Sequence, residues 1–226
     1  MPRLIPLADN LWVASAPNRF LCFEVGTRMT LVRLSSGALW LHSPIALDAA
    51  LKAEIDALGE VQFIVCPNDF HHLFAQDAVA AYPSAQLFGP ATLAKKRPDL
   101  RFASLFDGDT PTAWRSDLCA ISIHGSLLHE TVFYHGASQT LISSDLLENF
   151  HHCDHTPTRW WLKLGGCYGK ATWHRVLRLT YTGRKAARAS IDQLLALPLK
   201  RIILAHGEII EDNANTVLRE GMAWLK

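Results

Sequence analysis

Apolar and polar positions change rhythm twice along this chain. Between residues 11 and 41, short apolar runs at 20–25, 29–34 and 38–41 are broken by Gly26-Thr27 and Ser35-Ser36-Gly37, which predicts antiparallel strands joined by tight turns. Leu47, Leu51, Ile55 and Leu58 then recur at helical spacing up to Gly59, and the unbroken apolar run 61–65 follows as a buried strand. A helix over 72–82 ending before Pro83, and a short strand at 86–88 closed by Gly89-Pro90, complete an alternating β and α half. After a loop-rich stretch over 107–114, strand signals resume at 118–124, 131–135 and 140–143, spaced by Gly125 and Gly136. Residues 150–168 read as an irregular loop rich in His, Trp and Gly. Ala187, Ile191, Leu194 and Leu195 mark a helix stopped by Pro198, 201–205 is a last buried strand, and Ala214, Val217, Leu218, Met222 and Leu225 give a closing amphipathic helix. Two blocks of strands, each followed by helices, predict an α/β (α+β) chain in which two sheets pack face to face with helices outside, a four-layer αββα sandwich.

Composition narrows the function classes. At 226 residues with 49% hydrophobic and 19% charged positions, one domain over 1–226 with a substantial core is expected. Lys plus Arg (22) balances Asp plus Glu (21), and no dense basic run is interleaved with aromatics, so a nucleic-acid partner is not expected. No apolar run approaches the ~20 residues of a membrane span. Pro2, Pro6 and Asp9 do not make a secretory leader. Cys22, Cys66, Cys119, Cys153 and Cys167 are odd in number and contain no C-x-x-C pair, against a disulfide framework or a zinc ribbon, so a reducing cytoplasm is the expected setting.

Candidate chemistry lies in the eleven histidines, several of which fall at the ends of expected strands. The first cluster is Cys66-Pro67-Asn68-Asp69-Phe70-His71-His72, between the strand 61–65 and a helix. Asp69, His71 and His72 offer the carboxylate and imidazole donors that Zn²⁺ or Fe²⁺ accepts. The simpler alternative is a helix start capped by Asn68 or Asp69 with both histidines solvated. His129 precedes the strand 131–135, Asp145 follows the strand 140–143, and His206-Gly207 follows the strand 201–205. Cys66 reads as a small core residue. Trp160 and Trp161, near Arg159 and Lys163, either wall a pocket or cover the core.

This order of a first histidine cluster after a buried strand, an isolated His, an Asp closing a strand and a final His-Gly resembles the metallo-β-lactamase superfamily over nearly the whole chain. The 16 positions from His129 to Asp145 suit that family's intervening hairpin. The first motif departs from the family's His-x-His-x-Asp-His: with its last His aligned on His72, Pro67, Asp69 and His71 stand where the family has His, His and Asp. The family's first metal site keeps only Asp69, His129 and Asp145, whereas its second keeps His72, Asp145 and His206, with His71 replacing a carboxylate. The resemblance therefore implies the metallo-β-lactamase fold with one divalent ion, zinc ahead of iron, on His71, His72, Asp145 and His206, rather than a filled two-metal site. It assigns to Asp69 the orientation of a water or a general-base role, and to His129 stabilisation of a developing oxyanion or help in holding a second ion. The implied activity is hydrolysis of a small ester, thioester, lactam or phosphodiester by a water whose pKa the ion lowers toward ~7. The partner is then a small-molecule substrate, and no oligomeric state is legible. The alternatives are a non-catalytic binding protein on the same fold and an iron-dependent oxidoreductase. His152-Cys153-Asp154-His155 matches the tail of the family motif, but it follows Asp145 in a loop leading to Pro157 and is expected at the rim.

Overall fold

A computed structural model describes residues 3–106 and 110–225. The N-terminal half runs β1 (Ile5–Ala8), β2 (Leu11–Ala16), a small ribbon of β3 (Arg19–Phe20) and β4 (Phe23–Glu24), β5 (Thr27–Arg33), β6 (Leu39–His42), α1 (Ala49–Asp56), β7 (Val61–Val65), α2 (Ala75–Ala81), β8 (Gln86–Pro90), α3 (Ala91–Lys96) and β9 (Ser104–Phe106). The C-terminal half runs β10 (Leu118–Ser122), β11 (Thr131–His135), β12 (Thr140–Ile142), α4 (Thr156–Gly165), α5 (Arg184–Leu195), β13 (Arg201–Ile203) and α6 (Ala214–Gly221).

The first sheet has seven strands in the order β1-β2-β5-β6-β7-β8-β9, and the second has four in the order β10-β11-β12-β13. Short turns leave neighbours antiparallel, whereas the crossovers through α1, α2 and α3 make β6, β7, β8 and β9 parallel. In the second sheet β13 returns parallel to β12 after α4 and α5.

Strand periodicity decides the layers. On β6, Trp40 points between the sheets while Leu39 and Leu41 point to the helices; on β11, Phe133 points in and Val132 out. The central layer joins Leu11, Val32, Trp40, Val65 and Phe88 to Leu118, Phe133, Ile142 and Ile203. Outside the first sheet, Met29, Leu31 and Ile64 pack on Leu51 and Ile55 of α1, Ala78 of α2 and Leu93 of α3. Outside the second, Leu141 and Ile202 pack on Ile191 and Leu194 of α5 and Leu218 of α6. The result is the αββα sandwich that the strand and helix order implies.

Several local expectations change. The run 20–25 is not one strand: it folds into the β3–β4 ribbon, apart from the main sheet. α2 begins at Ala75 instead of 72, because the preceding residues form a turn around Asn68. The stretch 150–168, expected to be irregular, contains α4. Pro157 stands in its first turn, where no N–H is required, and Gly166 closes it in the left-handed region at φ 74°. Of the loop expected over 107–114, residues 107–109 lie outside those described, and Thr112–Trp114 is a 3-10 turn that buries Trp114. Met1 and Pro2 also lie outside. Among the described residues no helix is long and apolar enough to cross a membrane.

His42, 1% exposed, ends β6 stacked on Trp40 and edge-on to Phe133, and neither ring nitrogen has a hydrogen-bond partner. Burial, and secondarily the charge of His71, pulls its pKa from 6.5 down to about 3. Between those values the unfolded chain binds a proton that the folded chain refuses, so stability falls as pH falls. From pH 7 to pH 4.5 this ring alone costs ~2–3 kcal/mol. His42→Phe should remove that part of the slope in urea unfolding at the two pH values; an unchanged slope would acquit the ring. Phe133→Ala, which empties the central layer, should cost ~3–5 kcal/mol in the same measurement.

Candidate metal centre

The carboxyl ends of the parallel pairs β6–β7 and β12–β13 meet at one edge of the sandwich, where α/β folds hold their ligands. Ser43 follows β6, His71 follows β7, Asp145 follows β12 and His206 follows β13. His71 Nε2 lies 3.4 Å from Asp145 Oδ2, and His206 Nε2 lies 3.3 Å from Asp145 Oδ1. One ligand atom from each of the three residues lies within 4.8 Å of the others, and the side chains are 8%, 9% and 12% exposed, so the group forms a floor rather than a surface cluster.

Hydrogen bonds behind the rings fix what the front can do. His206 Nδ1 is 2.9 Å from the Gly26 carbonyl, an acceptor only, so Nδ1 carries the hydrogen and Nε2 presents a lone pair toward Asp145. His71 Nδ1 bonds Ser43 Oγ at 2.7 Å, again leaving Nε2 toward the carboxylate. Burial alone would raise the Asp145 carboxyl; the facing His71 and His206 rings overcome this and hold it well below the ordinary carboxylate range. Burial opposes protonation of His206, but Asp145 outweighs it and lifts the ring above its usual value. A carboxylate facing the His206 lone pair calls for a cation between them, either a proton or a metal ion; the His71 ring, backed by a hydroxyl that can donate or accept, can meet the carboxylate with an N–H or a lone pair. Two imidazoles and one carboxylate without thiolate suit zinc, and equally the iron facial set.

Asn68 is the organiser of this edge. Fully buried, it donates through Nδ2 to Asp145 Oδ2 (2.7 Å) and Ser144 Oγ (3.0 Å), and its Oδ1 accepts from the backbone N–H of Phe70 and His71, both at 2.8 Å. One side chain thus shapes the turn that carries His71 and ties it to Asp145. Glu130 accepts from the N–H groups of Ser144 (2.7 Å) and Asp145 (3.1 Å), fixing the carboxylate from beneath. Burial and then the Asp145 charge push its own pKa upward. Arg28 donates to the carbonyls of Leu204 and Gly207 and so holds the His206 loop. Gly207 has φ 81°, and a Cβ there would run into the Asn149 carbonyl.

The other sequence candidates stand around this triad. His72 Nδ1 is 3.0 Å from Arg97 Nη1, a donor only, so the nitrogen accepts and Nε2 carries the hydrogen; it has no lone pair for a metal in this arrangement. Asp69 and His129 bond each other (2.8 Å), Asp69 also accepts from Thr92 Oγ1 (2.6 Å), and neither lines the cleft above the triad. Asp69 N–H bonds the Leu128 carbonyl (3.2 Å), and Thr131 N–H bonds that of Pro67 (2.9 Å), so the pair fastens two loops. His152 bonds Asp154 in solvent, and His155 bonds Thr158. Cys66 lies in the core under the helices, where burial pushes its thiol up to about 12, and all five cysteines are free.

Residue-type reasoning missed Ser43, Glu130 and Glu148. Glu148, 7% exposed, lines the cleft beside Asp145 and His206 and accepts from Cys167 Sγ at 3.1 Å. Burial lifts its pKa above the ordinary glutamate value. The available signal was an acid beside an apolar run, at Glu130 before 131–135 and at Glu148 after Leu146-Leu147.

Two stacked sheets, helices outside and His and Asp donors at the strand ends define the metallo-β-lactamase fold. A metallo-β-lactamase from Pontibacter korlensis superposes with a TM-score of 0.69 over 100% of this chain and 99% of its own, at 13% identity. One from Hirschia baltica gives 0.65 over 99% and 97%, at 12% identity. The Flv1 flavodiiron core from Synechocystis gives 0.69 over 99% of this chain and 60% of that one, at 13% identity. At such identities the likeness is one of fold. A family described as a domain of unknown function, DUF4336, matches residues 8–93, which include the turn from Pro67 to His72. No curated protein matches the sequence.

This geometry separates the histidines. His71→Ala and His206→Ala should abolish tight zinc binding measured by competition with a chromogenic chelator, whereas His72→Ala should leave about one site per chain. Asn68→Ala should weaken zinc ~10–100-fold while the fold persists by circular dichroism. Zinc lost on His72→Ala and kept on His71→Ala would reverse the assignment.

Proposed function

We propose that the chain is a metal-dependent hydrolase in which His71, Asp145 and His206 hold one divalent cation, zinc ahead of iron. The observation that carries this reading is the pairing of His206 and Asp145. With Nδ1–H committed to Gly26, the Nε2 lone pair and the carboxylate oppose each other at 3.3 Å, an arrangement that asks for a cation. Three protein ligands are what catalytic zinc sites use while keeping a position open. A divalent ion there supplies Lewis acidity, polarising a substrate oxygen and lowering the pKa of a bound water toward ~7.

The chain's own groups do the rest. Gly26 and Ser43 hold the two rings in orientation, and Asn68 and Glu130 hold Asp145 and its backbone. Glu148, in the cleft beside Asp145 and His206 with its pKa raised, takes a proton from water and gives it to the leaving group. Asp69 and His129, given direct catalytic roles by the family resemblance, act here through the loops they join, keeping the His71 turn in place. Arg19 and Lys96, the cations lining the cleft among the described residues, are engaged by Glu24 and the Asp69 carbonyl. That favours a carbonyl electrophile, an ester, thioester or lactam, over a phosphodiester. Iron chemistry is the second reading, because two imidazoles and one carboxylate also make the facial set of non-haem iron.

Elemental mass spectrometry on untagged protein should find about one zinc or iron per chain, lost in Asp145→Ala, and the zinc-loaded protein should turn over an ester, thioester or lactam. Iron with oxygen consumption would select the redox reading. A well-folded, metal-free protein that takes up no added metal would instead leave a binding protein on a hydrolase fold.

A further inference from the structure

We infer that the cleft over His71, Asp145 and His206 is built for a substrate with a long apolar chain, an acyl ester or thioester whose carbonyl sits on the floor while its chain runs out to the mouth. The reactive end of this inference rests on the hydrolase reading; the binding of the chain does not. The cleft has a volume of about 490 Å³, within the range of small-molecule sites. Its lining holds the three candidate ligands and Glu148, with Asn18, Thr27, His72 and Thr180 as further polar residues and Arg19 and Lys96 as cations. Most of its wall is hydrocarbon, formed by Phe23, Phe70, Leu73, Leu127, Trp161 and Leu177.

Both cations on the walls have partners within the protein. Arg19 is paired with Glu24. The Lys96 ammonium donates to the Asp69 carbonyl at 2.7 Å and lies 5.1 Å from the centre of the Phe70 ring, so its stem adds apolar surface. Trp161 is a fixed wall, stacked between Phe23 (4.9 Å) and His174 (4.0 Å). At the mouth, Phe20, Phe70, Leu73 and Leu127 are 53%, 48%, 61% and 54% exposed, and all four line the same cleft. Apolar groups left in water mark a surface awaiting a ligand. These converge on a concavity with a reactive floor, which a flexible chain fills and a flat lipid or protein surface does not.

Hydrolysis of such a substrate balances without a further reactant. The water oxygen bonds the acyl carbon, the acyl C–O or C–S bond breaks, one water proton passes by way of Glu148 to the departing alkoxide or thiolate, and the other is released to solvent as the acid ionises. The product is an amphipathic carboxylate, which serves as the probe.

Hexanoate, octanoate and decanoate would be titrated into the zinc-loaded and zinc-free protein by calorimetry. Affinity should rise two- to fourfold per added methylene, the upper figure being that of full burial. Leu73→Asp and Leu127→Asp, both at exposed positions that leave the core intact, should weaken decanoate tenfold or more without changing zinc content. The rise with chain length should persist without zinc, so failure of the metal reading would remove only the zinc-dependent gain. An affinity independent of chain length, or unaffected by both variants, overturns the inference. So does a flat series accompanied by binding to phosphatidylcholine vesicles that the two variants abolish, which would make the mouth a lipid-facing surface.

Discussion

Asp145 is a buried carboxylate, and the edge of the sandwich where it lies is organised around keeping it charged. A lone ionised group in such a place would cost several kcal/mol. Here it is met by the His71 and His206 rings on one side and the Asn68 amide on another, while Glu130 grips the backbone beneath. These partners come from loops after different strands. The central layer, with Trp40, Phe63 and Phe88 on one sheet against Phe133, Ile142 and Ile203 on the other, brings those loops together. Packing between the sheets is therefore the condition for the site.

The same arrangement contains unresolved conflict. Glu130 and Glu148 are buried carboxyls whose pKa values are raised by burial and, further, by the charge of Asp145. His42, a short way behind His71, has no partner for either nitrogen. Locally unfavourable groups collected at one edge are what a functional site looks like when the remainder of the chain is internally consistent. A divalent cation between His71, Asp145 and His206 would offset part of that cost, coupling ligand binding to stability.

Above this polar floor the chain places hydrocarbon. The β3–β4 ribbon, the turn carrying Phe70 and Leu73, the loop with Leu127 and helix α4 with Trp161 form one cleft around the triad. Fold alone gives no substrate. The contrast between a polar floor and largely apolar walls is a property of this sequence, and it is the basis on which an amphipathic ligand is proposed over a phosphorylated one.

The amino-acid sequence by itself determined the layers, because strand and helix periodicities at 61–65, 131–135 and 187–195 dictate which side chains face the core wherever neighbouring elements lie. It also placed His71, Asp145 and His206 at strand ends, since each follows a recognisable apolar run. Helix α4 was hidden because Pro157 reads as a breaker unless the helix starts beside it, and the β3–β4 ribbon because an apolar run alone does not say whether a strand joins a sheet. The tertiary structure alone decided which histidine of the pair faces Asp145. His71 and His72 are indistinguishable by type, and their rings are held by Ser43 and Arg97, which lie 28 and 25 positions away in sequence. Asp69 and His129 were likewise legible as polar loop residues, but whether they face the cleft or each other depends on contacts across 60 positions. Ligand chemistry is local, whereas the direction of a lone pair is set by whatever the fold puts behind the ring.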